Sequence, residues 1–141
     1  MMPGDGVFRS EYRVYYEDTD MAGIVYYANY LRFLERARSD LVRFVGIDQQ
    51  DMRSARDLVF AVKRVEIEYR APARFGEILT VLTETTSLTP ARFEMTQRIT
   101  VDSRPIVDAV VQVVCMSAAG RPRRIPTDIR DALTKRITNH C

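Results

Sequence analysis

Residues 15–44 read YYEDTDMAGIVYYANYLRFLERARSDLVRF, and the change of pattern inside this stretch decides the fold. Just before it and into its first residues the chain alternates. Phe8, Tyr12, Val14 and Tyr16 fall on one face, and Arg9, Glu11 and Arg13 on the other. A period of two predicts a half-buried strand. Residues 17–23 break that period with acids and small residues, which predicts a loop. From Ala28 onward Tyr30, Leu34, Ala37, Leu41 and Phe44 recur at steps of four and three. That spacing makes one apolar helical face. Arg36 and Asp40 stand one turn apart and are set for an ion pair of roughly 0.3 kcal/mol. Asn29 is placed to cap the helix start and Gly46 to end it. A helix of about 16 residues would span roughly 24 Å.

Working outward, residues 47–58 are polar and mixed, and predict a loop with a short helix. Four strand-like runs follow. The first puts Val59, Ala61, Val65, Ile67 and Tyr69 on one face, and the second starts at Ile78. The third puts Phe93, Met95, Ile99 and Val101 on one face, and the fourth covers 106–116. The fourth run is apolar on both faces, as a strand covered on both sides would be. APARFGE, SLTPAR and DSR separate the runs with turn chemistry. Thr127 is placed to cap a final short helix carrying Ile129, Ala132, Leu133 and Ile137. One long helix cannot serve a doubly wound parallel sheet, which needs repeated crossover helices. The predicted class is α+β: a five-stranded antiparallel sheet wrapped around one long helix, as a single domain over 8–141 behind a loose tail, 1–7.

Composition narrows the function. With 141 residues the chain fits one domain and needs no metal or disulfide to fold. A net charge of +2 is too small to argue for a nucleic-acid partner. Of 21 basic residues only Lys63 and Lys135 are lysines, and arginine suits bidentate contacts to phosphate and carboxylate. The two cysteines, Cys115 inside VVQVVCM and Cys141 at the end, show no pairing pattern, so a reducing, cytoplasmic setting is expected. The single histidine, His140, argues against a zinc site and against a Ser-His-Asp triad. The start MMPGDGVFRSEY lacks the basic and apolar regions of a signal peptide, and no apolar run reaches the length of a membrane span.

The chemistry concentrates where loop meets helix. Glu17, Asp18 and Asp20 precede the helix start, where free N–H groups and about half a positive charge are expected. Gly23 permits a left-handed backbone and close approach of a ligand. A carboxylate beside such donors is what acyl transfer needs. The same acids equally suit a plain role in balancing the helix dipole. At this point both readings stand.

The run YYEDTDMAGIVYYANYLRFLERAR resembles the signature of the 4-hydroxybenzoyl-CoA thioesterase family, and within it the branch of Tol–Pal-associated acyl-CoA thioesterases. The resemblance continues more weakly through VEIEYRAPARFGEILTV, ARFEMTQRI and GRPRRIP. It implies the hotdog fold and hydrolysis of an acyl-CoA thioester. It implies that Asp20 is the catalytic carboxylate, as nucleophile or general base, and that backbone N–H groups near Tyr27 polarise the carbonyl. Tyr16 matches a tyrosine of the family's site. Many Tol–Pal-associated members carry histidine where this chain has Tyr27, so an imidazole proton carrier is lacking and the phenol is a donor at neutral pH. Arg92, Arg121, Arg123 and Arg124 resemble regions that hold coenzyme A phosphates. The 4-hydroxybenzoyl branch has a basic triplet where this chain has Pro90-Ala91-Arg92, so that match is partial.

The resemblance also implies homodimers or homotetramers with shared sites. It implies a link to the Tol–Pal envelope system at the inner membrane, and acyl carrier protein as a partner. No separate cofactor is expected, since coenzyme A is part of the substrate. The alternative is a non-catalytic scaffold that binds acyl-CoA or acyl carrier protein. A hotdog dehydratase generally pairs a histidine with an acid, and His140 at the chain end does not supply one.

Overall fold

The computed structural model describes residues 6–135. Strand β1 is Phe8–Arg13, and a single 3₁₀ turn follows at Tyr16–Asp18. Helix α1 is Tyr27–Phe44 and helix α2 is Gln49–Arg56. Four long strands come next: β2 (Val59–Tyr69), β3 (Ile78–Leu88), β4 (Arg92–Val101) and β5 (Arg104–Met116). The two-residue strand β6 (Pro122–Arg123) turns back on the end of β5, and helix α3 (Thr127–Leu133) closes the described chain. Ile137, His140 and Cys141 lie outside the described residues, as does most of the tail.

The sheet order is β1-β3-β4-β5-β2, every pair antiparallel. Helix α1 lies on one face. Its first half buries Tyr30, Phe33, Leu34 and Ala37 among Leu79, Val81, Ile99, Val107 and Ala109. Its second half buries Leu41 and Val42 among Phe93, Met95, Val111 and Val113. This is the hotdog arrangement that the resemblance implies. Gly46 ends α1 as expected. At φ +94° its N–H donates to the Arg43 carbonyl, and the Ile47 N–H reaches back to Val42, both at 3.0 Å. No helix among the described residues is long and apolar enough to cross a membrane.

Several local expectations need correction. Tyr16 is not on the strand face: β1 stops at Arg13, Val14 donates its N–H to Glu77, and the chain then coils into the 3₁₀ turn. Tyr16 is 81% exposed. Asn29 does not cap α1, which starts two residues earlier. Tyr26 is the cap, and its side chain makes no capping bond. Thr127 lies inside α3, which Pro126 precedes as the cap. Arg36 and Asp40 do not pair. Asp40 accepts the Tyr12 hydroxyl at 2.5 Å, while the Arg36 guanidinium lies 5.5 Å from the centres of the Tyr12 and Phe33 rings. Burial first, then the bond to Asp40, pushes the Tyr12 phenol up to about 12, so it stays a donor.

The run 106–116 is not covered on both sides. Val107, Ala109, Val111, Val113 and Cys115 face the helix, but Val110 on the opposite face is 38% exposed. A single helix layer covers one face of a sheet, so Val110 on the other face stays accessible beside Asp108 and Gln112. Strand β2 is a sheet edge with little of its length buried.

Candidate active site

Asp20 sits on a tight reversal between two short arms. Thr19 and Val25 face each other across an antiparallel bridge. Inside it the Asp20 N–H donates to Ile24 (2.9 Å) and the Gly23 N–H donates to the Asp20 carbonyl (3.0 Å). Gly23 holds φ +79°, which closes the turn and which a side chain would resist. Asp20 Oδ1 accepts the Ala22 N–H at 2.9 Å and, more weakly, the Ile24 N–H at 3.4 Å. This is the turn chemistry of a short acid. It uses one oxygen. Oδ2 accepts no bond among the described residues, and the side chain is exposed.

The reversal is anchored. Val25 donates its N–H to Ala73 (2.8 Å) and Phe75 donates to Gly23 (3.0 Å). The Ala73 N–H is in turn held by the buried Tyr30 hydroxyl of α1 at 3.0 Å. Asp18 is committed to the preceding 3₁₀ turn, where its Oδ2 accepts the Tyr15 N–H at 2.8 Å. The Asp18 carbonyl accepts from the Tyr26 N–H (3.3 Å) and from Asn29 Nδ2 (2.9 Å), which ties the loop to the helix start.

Helix α1 begins directly after this loop. The N–H groups of Tyr27 and Ala28 find no acceptor among the described residues, because the cap supplies none. They carry the positive end of the helix dipole. The Tyr27 ring packs on Tyr69 with centroids 4.8 Å apart, and Tyr16 meets Phe75 edge-on at 5.8 Å. Tyr15, Met21 and Tyr26, in the Asp20 loop and at the helix start, are exposed as well.

The basic residues gather elsewhere. Arg92, Arg123 and Arg124 line one groove of about 530 Å³, floored by Val114 and Met116. Arg121 does not line it. Its N–H instead closes the β5–β6 turn on Ser117. Lys63 joins the groove, and sequence reasoning missed it: nothing local marks an exposed strand residue as a neighbour of Arg92, and only the β2–β5–β4 pairing brings them together. Arg123 spends one nitrogen on the Asp57 carbonyl (3.1 Å), whereas Lys63, Arg92 and Arg124 have no acidic partner among the described residues. Tyr69 and Lys63 stand six residues apart on β2, roughly 20 Å at strand rise. Within one chain the groove and the Asp20 loop therefore lie toward opposite ends of that edge strand. Cys115, beneath the groove, is buried, and burial pushes its thiol up to about 11, as expected of a core residue and not of a nucleophile.

Comparisons with known proteins agree with this architecture. The acyl-CoA thioester hydrolase YbgC of Escherichia coli O6:H1 is 40% identical over 125 residues, covering 87% of this chain and 92% of that protein. The crystal structure of a probable thioesterase from Bartonella henselae superposes with a TM-score of 0.82 at 36% identity, covering 86% of this chain and all of the other (100%). A 4-hydroxybenzoyl CoA thioesterase mutant complexed with 4-hydroxybenzoyl CoA shares the fold, with a TM-score of 0.85 at 19% identity over 90% of this chain and 98% of that one. The sequence pattern of the Thioesterase-like superfamily matches residues 14–133, which runs from just after β1 through the Asp20 loop, the central helix and every later strand to α3, and the chain belongs to that superfamily.

Proposed function

We propose that this chain is an acyl-CoA thioesterase that hydrolyses its substrate to free acid and coenzyme A, with Asp20 as the catalytic carboxylate. One observation carries the reading: a carboxylate with a free oxygen stands on a rigid turn that leads straight into an uncapped helix N-terminus. The thioester oxygen would rest on the Tyr27 N–H, a type of donor worth about 2.7–4 kcal/mol in the transition state. Along one route Asp20 Oδ2 attacks the carbonyl carbon, the C–S bond breaks, coenzyme A leaves as thiolate, and water cleaves the resulting anhydride. Along the other Asp20 takes a proton from water, the hydroxide adds to the carbonyl, and collapse expels the same thiolate, which then accepts the proton. Tyr16 and Tyr27 flank the site and can donate hydrogen bonds. Gly23 keeps the turn clear of side chain beside the substrate. Release of free thiol from a panel of short, long and aryl acyl-CoAs tests the function, and absence of release from every member overturns it.

Coenzyme A phosphates are assigned to the groove of Arg92, Arg123 and Arg124, with Lys63 added and Arg121 left out. Its unpaired cations over an apolar floor support this. Arg92→Ala and Arg124→Ala are each expected to raise KM for acyl-CoA about three- to tenfold. The KM for the matching pantetheine thioester, which lacks the nucleotide, should shift far less. Equal shifts for both substrates would remove the phosphate role.

The separation of groove and carboxylate is resolved if two copies pair through β2. A symmetric antiparallel contact sets the Tyr69 end of one copy beside the Val59 end of the other. Each site then takes its carboxylate from one protomer and its cations from the partner. An open strand edge that exposes Val62, Val65 and Tyr69 favours such pairing. Size-exclusion chromatography with light scattering should find a homodimer or homotetramer at assay concentration, and an active monomer would end the shared-site arrangement. The proposed setting is cytoplasmic, peripheral to the inner membrane, with acyl carrier protein as a further partner; the motif resemblance supports it.

A further inference from the structure

Arg38 is the last residue of the ERAR motif and plays no part in the site so far described. It lies in the second half of α1, on the boundary of a cavity of about 280 Å³ between that helix and the sheet. The walls include Val42, Phe60, Phe93 and Met95, and Glu35 stands one helical turn back. Below Arg38 is Gln97, wholly buried and fully engaged. Its amide nitrogen donates to the Leu34 carbonyl (3.0 Å) and to Thr83 Oγ1 (3.1 Å), which aims its oxygen at Arg38 Nη1, 3.0 Å away.

That single bond is the only one the guanidinium makes among the described residues. Burial pushes its pKa down and the charge of Glu35 opposes this, yet among the described residues no carboxylate comes within ion-pair distance of it. An arginine so placed still keeps its charge. A half-buried cation with one neutral partner is costly, and a buried Gln97 needs only a neutral donor. Nε and Nη2 remain free and side by side, the edge that matches a carboxylate bidentately. They are not sealed in protein either. Among the described residues the Ser10 hydroxyl is the one fully buried side-chain polar atom without a partner, so the free nitrogens of Arg38 are open to the cavity or to solvent.

We propose that Arg38 is a specificity residue that binds a carboxylate at the far end of the acyl group, so that the preferred substrates are ω-carboxyacyl thioesters. This rests on the thioesterase reading above and names its substrate class. The apolar walls take the methylene chain, and Arg38 with Gln97 behind it takes the terminal charge. Helix rise puts Arg38 about 16 Å from the Tyr27 N–H of the same chain, which suits a long acyl group. A site completed by a second copy would suit a shorter one.

The test is a ratio of kcat/KM within matched pairs, read by thiol release from the full-length protein. Adipoyl-, suberoyl- and dodecanedioyl-CoA are compared with hexanoyl-, octanoyl- and dodecanoyl-CoA. In the unsubstituted protein the carboxylated member should win by about tenfold or more in at least one pair. Arg38→Met and Arg38→Lys should each reduce that ratio, Met by about ten- to a hundredfold. Glu35→Gln, which removes the competing negative charge, should raise it. A purely structural Arg38 would slow both members alike and leave the ratio in place. Ratios at or below one in every pair overturn the inference while leaving the thioesterase reading intact. The same holds for a preference that survives Arg38→Lys unchanged. Absence of thiol release from all six compounds overturns both. Should Arg38→Met not fold, the unsubstituted ratios together with Arg38→Lys and Glu35→Gln decide the matter.

Discussion

Asp20→Asn lowers kcat/KM for acyl-CoA by roughly 10³–10⁴-fold while the melting temperature stays within a few degrees of the parent, the size expected for loss of an acid-base or nucleophilic group. The substitution is chosen for its geometry. Asparagine retains an oxygen where Oδ1 accepts the Ala22 and Ile24 N–H groups, so the turn that carries the residue is preserved. What disappears is the negative charge on Oδ2. Asp20→Ala removes the turn bonds as well and should cost about 1 kcal/mol more in stability with no further loss of rate. Thiol-release kinetics beside thermal unfolding separate these effects. Full activity in either variant would strip Asp20 of its role. Absence of thiol release from the parent as well would instead favour the alternative of a scaffold that holds acyl thioesters without cleaving them.

Leu34→Ala should be the most damaging truncation in α1, costing about 3–5 kcal/mol. Leu34 is 0% exposed and sits where the helix meets the centre of the sheet, among Ala37, Val81 and Ile99. Neighbouring chains are held by strand pairing on both sides, so collapse around the lost methyl groups is limited. At roughly 3 °C per kcal/mol for a domain of this size, the melting temperature should fall by about 10–15 °C. Leu31→Ala, one turn back and 42% exposed, should cost under about 1 kcal/mol. Circular dichroism melts at one fixed protein concentration, necessary if the chain is oligomeric, compare the two. Equal losses would mean that the apolar stripe read from Tyr30, Leu34, Ala37 and Leu41 is not the face that packs.

Much of this architecture was legible because it is written in short-range periodicity. A period near four made α1, a period of two made the strands, and Gly46 marked the helix end through a backbone conformation few other residues tolerate. The Asp20 turn was legible too, as an acid and a glycine three residues apart. Local pattern failed where a neighbour from afar set the outcome. Tyr16 continued the alternation, but Val14 was captured by Glu77 from beyond β2 and the chain turned away before Tyr16 could join the strand. Asp40 took the Tyr12 hydroxyl across 28 residues in preference to Arg36 one turn away. The run 106–116 looked apolar on both faces, and apolarity alone carries no information on which face a partner will cover.

By itself, then, the sequence determined the order of the long elements and the single central helix through residue type and spacing along the chain, while the family and the choice of position 20 came through the motif resemblance. Only the tertiary structure decided which acid keeps a free oxygen: Asp18 spends its side chain on the Tyr15 N–H, while Asp20 keeps Oδ2 unbonded. Only the structure gathered Lys63 with Arg92, Arg123 and Arg124, left Arg121 out, and set Arg38 on Gln97 at the edge of a cavity. The physical reason is that these groupings depend on strand register and on helix-to-sheet packing. Both are fixed by burial of the whole core and leave no mark in any local stretch of the chain.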